Sequence, residues 1–255
     1  MSEGLGGPWP GGALAAYSII HDDVGDPLAD GFLEQGLPEL DARGLHAGLA
    51  IVVSEAARRG LFPKLRTAVT TGHEAINHSW SHADLTKTTN FGAEIDAARA
   101  VLEAELSRRV TFFAFPFDEW NDEGLAHLRA AGYRGARAGE RGLNKSEPGN
   151  EFEVRFDTYG EEHSIYKGKG DVLEAYVDDA IANQGWAVRE FHGVADQSWE
   201  SIPLPQYRAH LDNVAERVRE GSLWVATPSA VLRWRRHRAR ISRPFPRLVR
   251  SMLPC

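Results

Sequence analysis

Residues 13–23, ALAAYSIIHDD, form an apolar run that ends abruptly in a histidine and two aspartates. A short apolar run bounded by charged residues is typical of a strand that is buried on both faces. His21, Asp22 and Asp23 would then lie where this strand ends. The stretch therefore predicts a buried strand that carries reactive side chains at its C-terminal end.

The same alternation between short apolar runs and helical patterns continues along the chain. Further strands are predicted at residues 45–53, 110–117, 186–191 and 223–227, and helices at residues 90–109, 171–184 and 205–220. Residues 139–170 are polar and contain several glycines, which predicts a long loop. Strands that alternate with helices indicate an α/β protein in which helices cover a parallel sheet. About seven such units favour a single domain with a distorted (β/α)7-type barrel over an open sheet.

Three segments that end predicted strands carry candidate active-site residues. They are IIHDD at residues 19–23, FAFPF at 113–117 and REFH at 189–192. In barrels of this kind the reactive groups gather at the C-terminal ends of the strands. We therefore expect these three segments to contribute to one site.

The segment GHEAINHSWSH, residues 72–82, suggests a metal site. His78 and His82 are four residues apart, a spacing that puts two side chains on one side of a helical turn. Two neutral imidazoles and one carboxylate from Asp22 or Asp23 would hold a divalent ion and leave positions open for water and substrate. The other aspartate would be free to act as a base, so the set predicts metal-assisted hydrolysis.

Cysteine usage and the lack of long apolar segments bear on the compartment. The only cysteine is Cys255, which excludes an intrachain disulfide and is typical of a reducing compartment. The N-terminal residues are acidic and glycine-rich, without the basic and apolar regions of a signal peptide. No stretch reaches 18 consecutive apolar residues, so no membrane span is predicted. We expect a cytoplasmic protein.

Positive charge is concentrated at the C-terminal end of the sequence. Residues 232–255 contain eight arginines and no acidic residue, with apolar side chains between the arginines. Because the whole chain carries −7 and this segment +8, residues 1–231 carry −15. Such a segment can lie on the anionic inner surface of a membrane, or stay solvated and pair with the acidic body. No nucleic-acid recognition module accompanies the arginines, so nucleic-acid binding is not expected.

Over residues 12–228 the chain resembles the polysaccharide deacetylases with a NodB homology domain, carbohydrate esterase family 4. The family's T-F-D-D-G motif corresponds to Ile20-His21-Asp22-Asp23-Val24, and its H-S/T-x-x-H motif is intact at His78-Ser79-Trp80-Ser81-His82. The third motif is similar to FAFPFDEWND and the last to REFHGVADQSW. On this basis we divide the chain into an N-terminal extension (1–11), a NodB-like catalytic domain (12–231) and an arginine-rich tail (232–255).

The resemblance implies a metal centre and a base. Asp23, His78 and His82 would bind a divalent ion, with Zn²⁺ favoured and Co²⁺ or Ni²⁺ compatible with the same three ligands. Asp22 would be the general base that activates water. The implied reaction removes N-acetyl groups from N-acetylhexosamine units of a polysaccharide or its glycan precursor and releases acetate.

The resemblance also implies an acid and an oxyanion site. His192 would protonate the departing amine, which cannot leave as an amide anion. The backbone N–H of Phe117, which follows Pro116, would help to stabilise the tetrahedral oxyanion. Trp80 and Trp199 are candidates for stacking on sugar rings, with core packing as the alternative for both.

The chain departs from the family pattern around the base and the acid. His21 replaces the usual aromatic residue before the aspartates, and we interpret it as filling the same space. Many members carry an arginine in the third motif that orients the base, where this chain has Ala114; Arg137 is the candidate that would replace it in space. The family's fourth motif, an aspartate that supports the acid, has no clear match, and Asp157 and Asp196 are the candidates.

Three functions stay open at this point. The first is N-deacetylation of an acetylated glycan. The second keeps the metal chemistry and changes the substrate to an O-acetyl ester or a non-sugar amide. The third is a non-catalytic glycan-binding relative, against which the joint presence of a base, an acid and an open metal site argues.

Overall fold

A computed structural model describes residues 5–160 and 162–241 and contains eight strands in one parallel sheet. The strands are β1 (Ala15–Val24), β2 (Gly48–Ile51), β3 (Glu74–Asn77), β4 (Phe112–Ala114), β5 (Gly135–Arg141), β6 (Val154–Thr158), β7 (Trp186–Phe191) and β8 (Leu223–Val225). Strands β1 to β7 follow one another around a ring, which closes because β1 pairs with both β2 and β7. The predicted (β/α)7-type barrel is thereby confirmed. Strand β8 pairs only with the first residues of β1, beside the ring.

Side-chain alternation in β1 shows how the barrel is filled. Ala16 and Ile20 belong to an inner cluster, to which neighbouring strands contribute Ala50, Ile76 and Phe112. Side chains at successive strand positions point to opposite faces, so the residues between them face the surrounding helices. Because both faces of β1 are covered, its sequence is an apolar run and not a polar–apolar alternation.

In the described residues, eight α-helices surround the strands. They are α1 (Leu37–Ala42), α2 (Val53–Arg58), α3 (Phe62–Thr71), α4 (Ala98–Leu106), α5 (Asp122–Ala130), α6 (Val172–Ala182), α7 (Leu204–Arg219) and α8 (Pro228–Ile241), and single π-helical segments precede α1 and α4. Asn121 caps α5 with a side-chain oxygen 2.8 Å from the backbone nitrogen of Gly124. None of the helices in the described residues is long and apolar enough to span a bilayer.

The N-terminal end of the barrel is closed by residues from both ends of the described chain. Trp9 is buried, and its ring lies 6.2 Å from that of Trp224. The indole N–H of Trp234, on α8, donates to the carbonyl of Pro8 over 3.2 Å. The boundary predicted at residue 232 falls inside α8, where Leu232 is buried against the barrel. Residues 242–255 of the predicted tail lie outside the described residues.

The predicted loop at residues 139–170 contains β6. Val154 and Phe156 fill the inner cluster, while the buried carboxylate of Asp157 pairs with Arg189 of β7 over 2.8 Å. A short strand with a buried ion pair has too few apolar residues to show an apolar run. This is why the polar sequence predicted a loop there.

Candidate active site

A cavity of about 470 Å³ opens at the C-terminal end of the barrel. Its lining contains the residues that end β1, β3, β4 and β7, as expected for a barrel of parallel strands. The lining residues are Asp22, Asp23, His78, His82, Phe117, Asp118, Arg141, His163, Glu190, His192 and Trp199. The segments IIHDD, FAFPF and REFH therefore meet at one place, as their sequence positions predict.

A local break in β1 brings both aspartates into this cavity. In a regular strand the side chains of Asp22 and Asp23 would point to opposite faces. Asp23 has φ = 58°, and the pairing with β2 shifts register between His21 and Val24. A bulge of this kind re-aims a side chain next to a functional site. Both carboxylates consequently line the same space.

The two histidines meet through a loop and not through a helix. Strand β3 ends at Asn77, and residues 78–82 have no helical structure. Ser79 (φ = 67°) and His82 (φ = 59°) adopt left-handed backbone conformations that fold the loop back, so that the rings of His78 and His82 lie 4.9 Å apart. The expectation of a helical turn from the four-residue spacing was wrong, although the pairing of the two side chains was right.

Asp23, His78 and His82 fit a metal ion. The Nε2 atoms of His78 and His82 lie 3.5 and 3.1 Å from Oδ1 of Asp23, a buried atom with no hydrogen-bond partner in the described residues. The Nδ1–H of His78 donates to the carbonyl of Ala114 over 2.8 Å, which leaves the lone pair of Nε2 for a ligand. Burial would raise the pKa of Asp23, but both histidines outweigh it, so the pKa is lowered and the carboxylate is ionised.

A second set of potential ligands fits a cation less well. Asp22, Glu190 and His192 also offer ligand atoms that lie close together. The guanidinium of Arg137 is bound to Asp22, however, and lies 3.7 Å from Glu190. A cation among these three residues would meet that positive charge at close range. The first set is therefore the better candidate metal site.

Arg137 holds the carboxylate of Asp22. Its Nη1 and Nη2 atoms donate to Oδ1 and Oδ2 over 2.7 and 2.5 Å, a two-pronged contact in which both partners are buried. Burial would raise the pKa of Asp22, but the charge of Arg137 reverses this and lowers it. Arg137 is the register partner of Ala114 on the neighbouring strand. The candidate Arg137 thus lies one strand away from Ala114, at the same level of the barrel, and contacts the predicted base.

His192 directly follows β7, on the other side of the cavity. Its Nε2 atom lies 3.9 Å from both Oδ2 of Asp23 and Oε1 of Glu190. Burial lowers the pKa of His192, against the opposing charges of Asp22 and Asp23. The ring packs edge-on against Trp199, with centroids 4.9 Å apart. His192 is thus within reach of the proposed metal ligands without belonging to them.

Neither aspartate considered as a support for His192 contacts its ring. Asp157 is buried against Arg189, on the far side of β7. Asp196 accepts hydrogen bonds from the backbone nitrogen of Gly31, which precedes α1, and from the hydroxyl of Ser198, which follows β7. In the described residues, the carboxylate nearest the His192 ring other than Asp23 is that of Glu190.

His21 fills aromatic space behind the site. Its ring stacks on Phe32 with centroids 3.8 Å apart, and Nδ1 lies 2.7 Å from the carbonyl oxygen of His192. Nε2 lies 2.9 Å from the hydroxyl of Tyr207. Burial lowers the pKa of His21 to about 3, so the ring is neutral. This agrees with the interpretation of His21 as a replacement for the family's aromatic residue.

The remaining predicted residues lie at different depths. Pro116 is buried, whereas the neighbouring Phe117 (φ = 59°) is 61% exposed at the cavity rim with its ring 4.5 Å from that of His82. Trp199 is 47% exposed and lines the cavity. Trp80 does not line it: its side chain is half-buried against the outer apolar core. Of the two tryptophans, only Trp199 is placed to contact a bound sugar.

Three charged residues of the cavity were missed from the sequence. Asp118 accepts from Arg137 over 2.9 Å and lies 3.4 Å from Arg141. Glu190 is 2% exposed, 3.7 Å from Arg137 and 3.9 Å from Arg141, and burial raises its pKa. The sequence did contain a signal for Glu190. It lies two residues before His192, and residues two apart along an extended strand point to the same face.

Comparison with known proteins agrees with this geometry. A polysaccharide deacetylase family model matches residues 18–136. Over these residues the chain is similar to the polysaccharide deacetylases. This family acts on acetylated glycans and is generally metal-dependent, and the match includes Asp22 and the three potential metal ligands Asp23, His78 and His82. No curated protein sequence matches the chain.

Solved structures show the same fold at low identity. The peptidoglycan deacetylase PdaC from Bacillus subtilis is 17% identical, with a TM-score of 0.57 over 88% of this chain and 93% of that chain. The carbohydrate esterase family 4 domain of a multidomain xylanase from the hindgut metagenome of Trinervitermes trinervoides is 13% identical, with a TM-score of 0.57 over 86% and 90%. A carbohydrate esterase family 4 pseudoenzyme from Bacillus anthracis is 14% identical, with a TM-score of 0.60 over 86% and 65%. The similarity to these structures extends well beyond residue 136 and supports the barrel fold for the whole described chain.

Proposed function

We propose that this protein is a metal-dependent hydrolase that removes N-acetyl groups from N-acetylhexosamine units of a glycan. One observation carries the proposal. The ionised carboxylate of Asp22, the three potential metal ligands and the imidazole of His192 line a single cavity. A base, a metal site and an acid in one water-accessible cavity are the parts that amide hydrolysis requires.

The metal would be held by Asp23, His78 and His82. When bound, it would act as a Lewis acid on the acetyl carbonyl and lower the pKa of a water molecule. Zn²⁺ suits two imidazoles and one carboxylate, and Co²⁺ or Ni²⁺ would suit the same ligands. The hydrogen bond from Nδ1 of His78 to Ala114 supports this assignment because it fixes the ring with Nε2 towards the cavity.

Asp22 would take the proton from the attacking water. Its pKa is lowered although burial would raise it, because Arg137 stabilises the ionised form. Arg137 also fixes the orientation of the carboxylate through two hydrogen bonds. A base held in this way does not need to reorganise before it accepts a proton.

His192 would donate a proton to the departing nitrogen. An alkoxide can leave without that proton more readily than an amide anion can, so an acid opposite the base favours an amide substrate over an ester. The O-acetyl esterase and the hydrolase of a non-sugar amide stay as alternative proposals. The exposed ring of Trp199 beside His192 supports a sugar, because aromatic faces stack on sugar C–H surfaces.

The cytoplasmic location and the contact of the arginine-rich segment with the inner membrane surface also stay proposals. They rest on the lack of disulfide-forming cysteines and on the arginines of residues 232–255.

The proposal is tested by acetate and amine release from N-acetylglucosamine oligomers. The full-length protein is stripped of metal and assayed with and without Zn²⁺, beside His82→Ala and a matched control, His127→Ala. His127 lies away from the cavity, where it pairs with Asp96 at the surface. We expect zinc to restore equal amounts of acetate and free amine in the wild type and the control only.

Two results would contradict the proposal. Acetate release that survives both metal removal and His82→Ala would exclude a metal mechanism at this site. Acetate from O-acetylated glycans without any new amine from N-acetylated ones would establish the esterase instead. A pseudoenzyme shares the fold, so the fold alone does not predict which outcome is obtained.

A further inference from the structure

A second cavity lies at the opposite end of the barrel from the proposed active site. It measures about 440 Å³ and is lined by Thr111, Arg134, Ser229, Arg233, Arg236, His237 and Arg240. Thr111 and Arg134 immediately precede β4 and β5, and the other five residues lie on α8. We call this cavity the arginine cleft. It uses none of the residues assigned to deacetylation.

The arginine cleft has a large excess of positive charge. Four guanidinium groups and an imidazole line it, and no carboxylate does. Across residues 5–160 and 162–241, none of its four arginines forms an ion pair. By contrast, most arginines elsewhere on this acidic body face a carboxylate within 4 Å, as Arg43, Arg59 and Arg217 do. Arginines that gather without acidic partners are typical of an anion site.

Burial and the mutual repulsion of these charges lower the pKa of Arg236. Burial lowers the pKa of its guanidinium, and the charges of Arg134, Arg233 and Arg240 lower it further, against an opposing effect of Glu151. Burial raises the pKa of Glu74, and the charge of Arg233 opposes that rise. In the described residues neither Glu74 nor Glu151 lies within 4 Å of a guanidinium of the arginine cleft, and a bound anion would supply the missing negative charge.

The shape and donors of the arginine cleft indicate which anion. The hydroxyls of Thr111 and Ser229 lie 3.1 Å apart on its wall, where one donates to the other, so the guanidinium groups are the main donors for a ligand. Phosphate offers several oxygens to such donors, and a guanidinium binds two of them at once. A cavity of about 440 Å³ also leaves room for an organic group attached to the phosphate.

We propose that the arginine cleft binds the phosphate group of a phosphorylated ligand. The phosphate can belong to the headgroup of an anionic phospholipid or to a soluble molecule. In the lipid case, the active site would face away from the membrane, because the two cavities lie at opposite ends of the strands. Such an orientation suits a glycan that approaches from solution and not a short saccharide attached to the same lipid surface.

The test compares two triple variants of the full-length protein. The first, Arg134→Gln/Arg233→Gln/Arg236→Gln, removes three charges from the arginine cleft. The second, Arg58→Gln/Arg155→Gln/Arg219→Gln, removes three charges from exposed positions elsewhere. Inorganic phosphate binding is measured by calorimetry, and binding to phosphatidylglycerol vesicles, with phosphatidylcholine vesicles as the blank, by sedimentation. Thermal unfolding checks that both variants fold.

We expect the first variant to bind phosphate at least about 30-fold more weakly, and the second to stay within about threefold of the wild type. If vesicles bind through the same cleft, three lost charges weaken that binding about 100-fold, since each basic residue contributes about fivefold. Phosphate binding without vesicle binding would support the cleft with a soluble ligand. Absence of phosphate binding by the wild type, or equal weakening in both variants, would overturn the proposal.

Discussion

The two ends of this barrel carry opposite charges and are built in different ways. The C-terminal end gathers four carboxylates (Asp22, Asp23, Asp118 and Glu190) from the ends of β1, β4 and β7. The N-terminal end gathers four arginines, most of them from the single helix α8. Helix α8 positions its arginines by regular spacing, whereas the carboxylates meet only because separate strands converge. The acidic end therefore depends on the fold far more than the basic end does.

Backbone strain is distributed in the same unequal way. Among the described non-glycine residues with positive φ, seven lie at or after the C-terminal ends of strands: Asp23, Ser79, His82, Phe117, Asp118, Ala195 and Glu200. Only Ser107 and Gln184 lie near the N-terminal end, each after a helix. Left-handed conformations cost free energy in L-residues and persist where the surrounding structure imposes them. Their concentration around the cavity shows that the site is stabilised by the rest of the fold.

The largest expected effect comes from replacing Asp22 by Asn, which removes the proposed general base from the acidic end. We expect acetate release to fall about 100- to 10,000-fold, because the base is lost while Asp23, His78 and His82 keep the metal. Zinc content by elemental analysis should stay equal to that of the wild type. Asp118→Asn, in the same cavity, is the matched control and should lose far less. A loss of less than tenfold in Asp22→Asn would remove Asp22 from the role of base.

The next effect concerns Arg137, which links three carboxylates at the acidic end. Arg137→Met leaves the buried carboxylate of Asp22 without its cation, and Glu190 and Asp118 with Arg141 alone. It should lower the free energy of unfolding by about 3–5 kcal/mol. Because Ala114 is the register partner of Arg137, the double variant Ala114→Arg/Arg137→Ala should recover part of both stability and activity. Urea unfolding and acetate release measure the two quantities. If neither stability nor activity recovered, an arginine at position 114 would not be able to replace Arg137, although the two positions are register partners.

Arg137 also illustrates what the sequence could and could not predict. The apolar runs and helical patterns were sufficient for the barrel, and the strand-end residues Asp22, His78 and His192 were found because parallel strands bring their C-terminal ends together. Arg137 could be only a candidate, since the register between β4 and β5 depends on packing that no local pattern encodes. Glu190 was missed for a related reason: its partners are on β5, more than forty residues away in sequence.

The missed features share one physical origin. The left-handed backbone at Asp23 and His82 is imposed by contacts between loops, and neither residue is one that signals such a turn by itself as glycine does. Strand β6 was taken for a loop because its buried Asp157 is balanced by Arg189 from β7. In each case a tertiary partner overrides a local preference, and the partner lies far away in sequence.

The third prediction concerns how the free energy of unfolding depends on pH, through a buried histidine on α7. His210 is buried on α7, with Nε2 2.8 Å from the Tyr17 hydroxyl and Nδ1 2.9 Å from Glu174. Burial lowers the pKa of His210 below its ordinary value, against Glu174, while Arg189 acts in the same direction as burial. The unfolded state then binds the proton more readily. The stability that neutral His210 contributes is present above about pH 6.5 and is lost as the pH falls through the gap between the two pKa values.

We therefore compare urea unfolding of the wild type and His210→Gln at pH 7.5 and 5.5. The wild type should lose up to about 1.4 kcal/mol more than the variant between these two pH values. The variant is expected to be less stable at pH 7.5, since it loses contacts with Tyr17 and Glu174, so only the pH-dependent difference is informative. Equal losses in both proteins would assign the acid sensitivity to other groups.

The smallest expected effect comes from relieving backbone strain at two residues with positive φ, one far from the cavity and one at its rim. Ser107 ends α4 in a left-handed conformation at the N-terminal end of the barrel, where glycine is the preferred residue. Ser107→Gly should raise the free energy of unfolding by about 0.5–1 kcal/mol and leave acetate release unchanged. Phe117→Gly relieves the same kind of strain at the cavity rim, but it also removes the ring that packs on His82. We expect it to lower acetate release while changing stability little. If both variants behaved alike in activity, the strain around the cavity would have no part in placing the residues of the site.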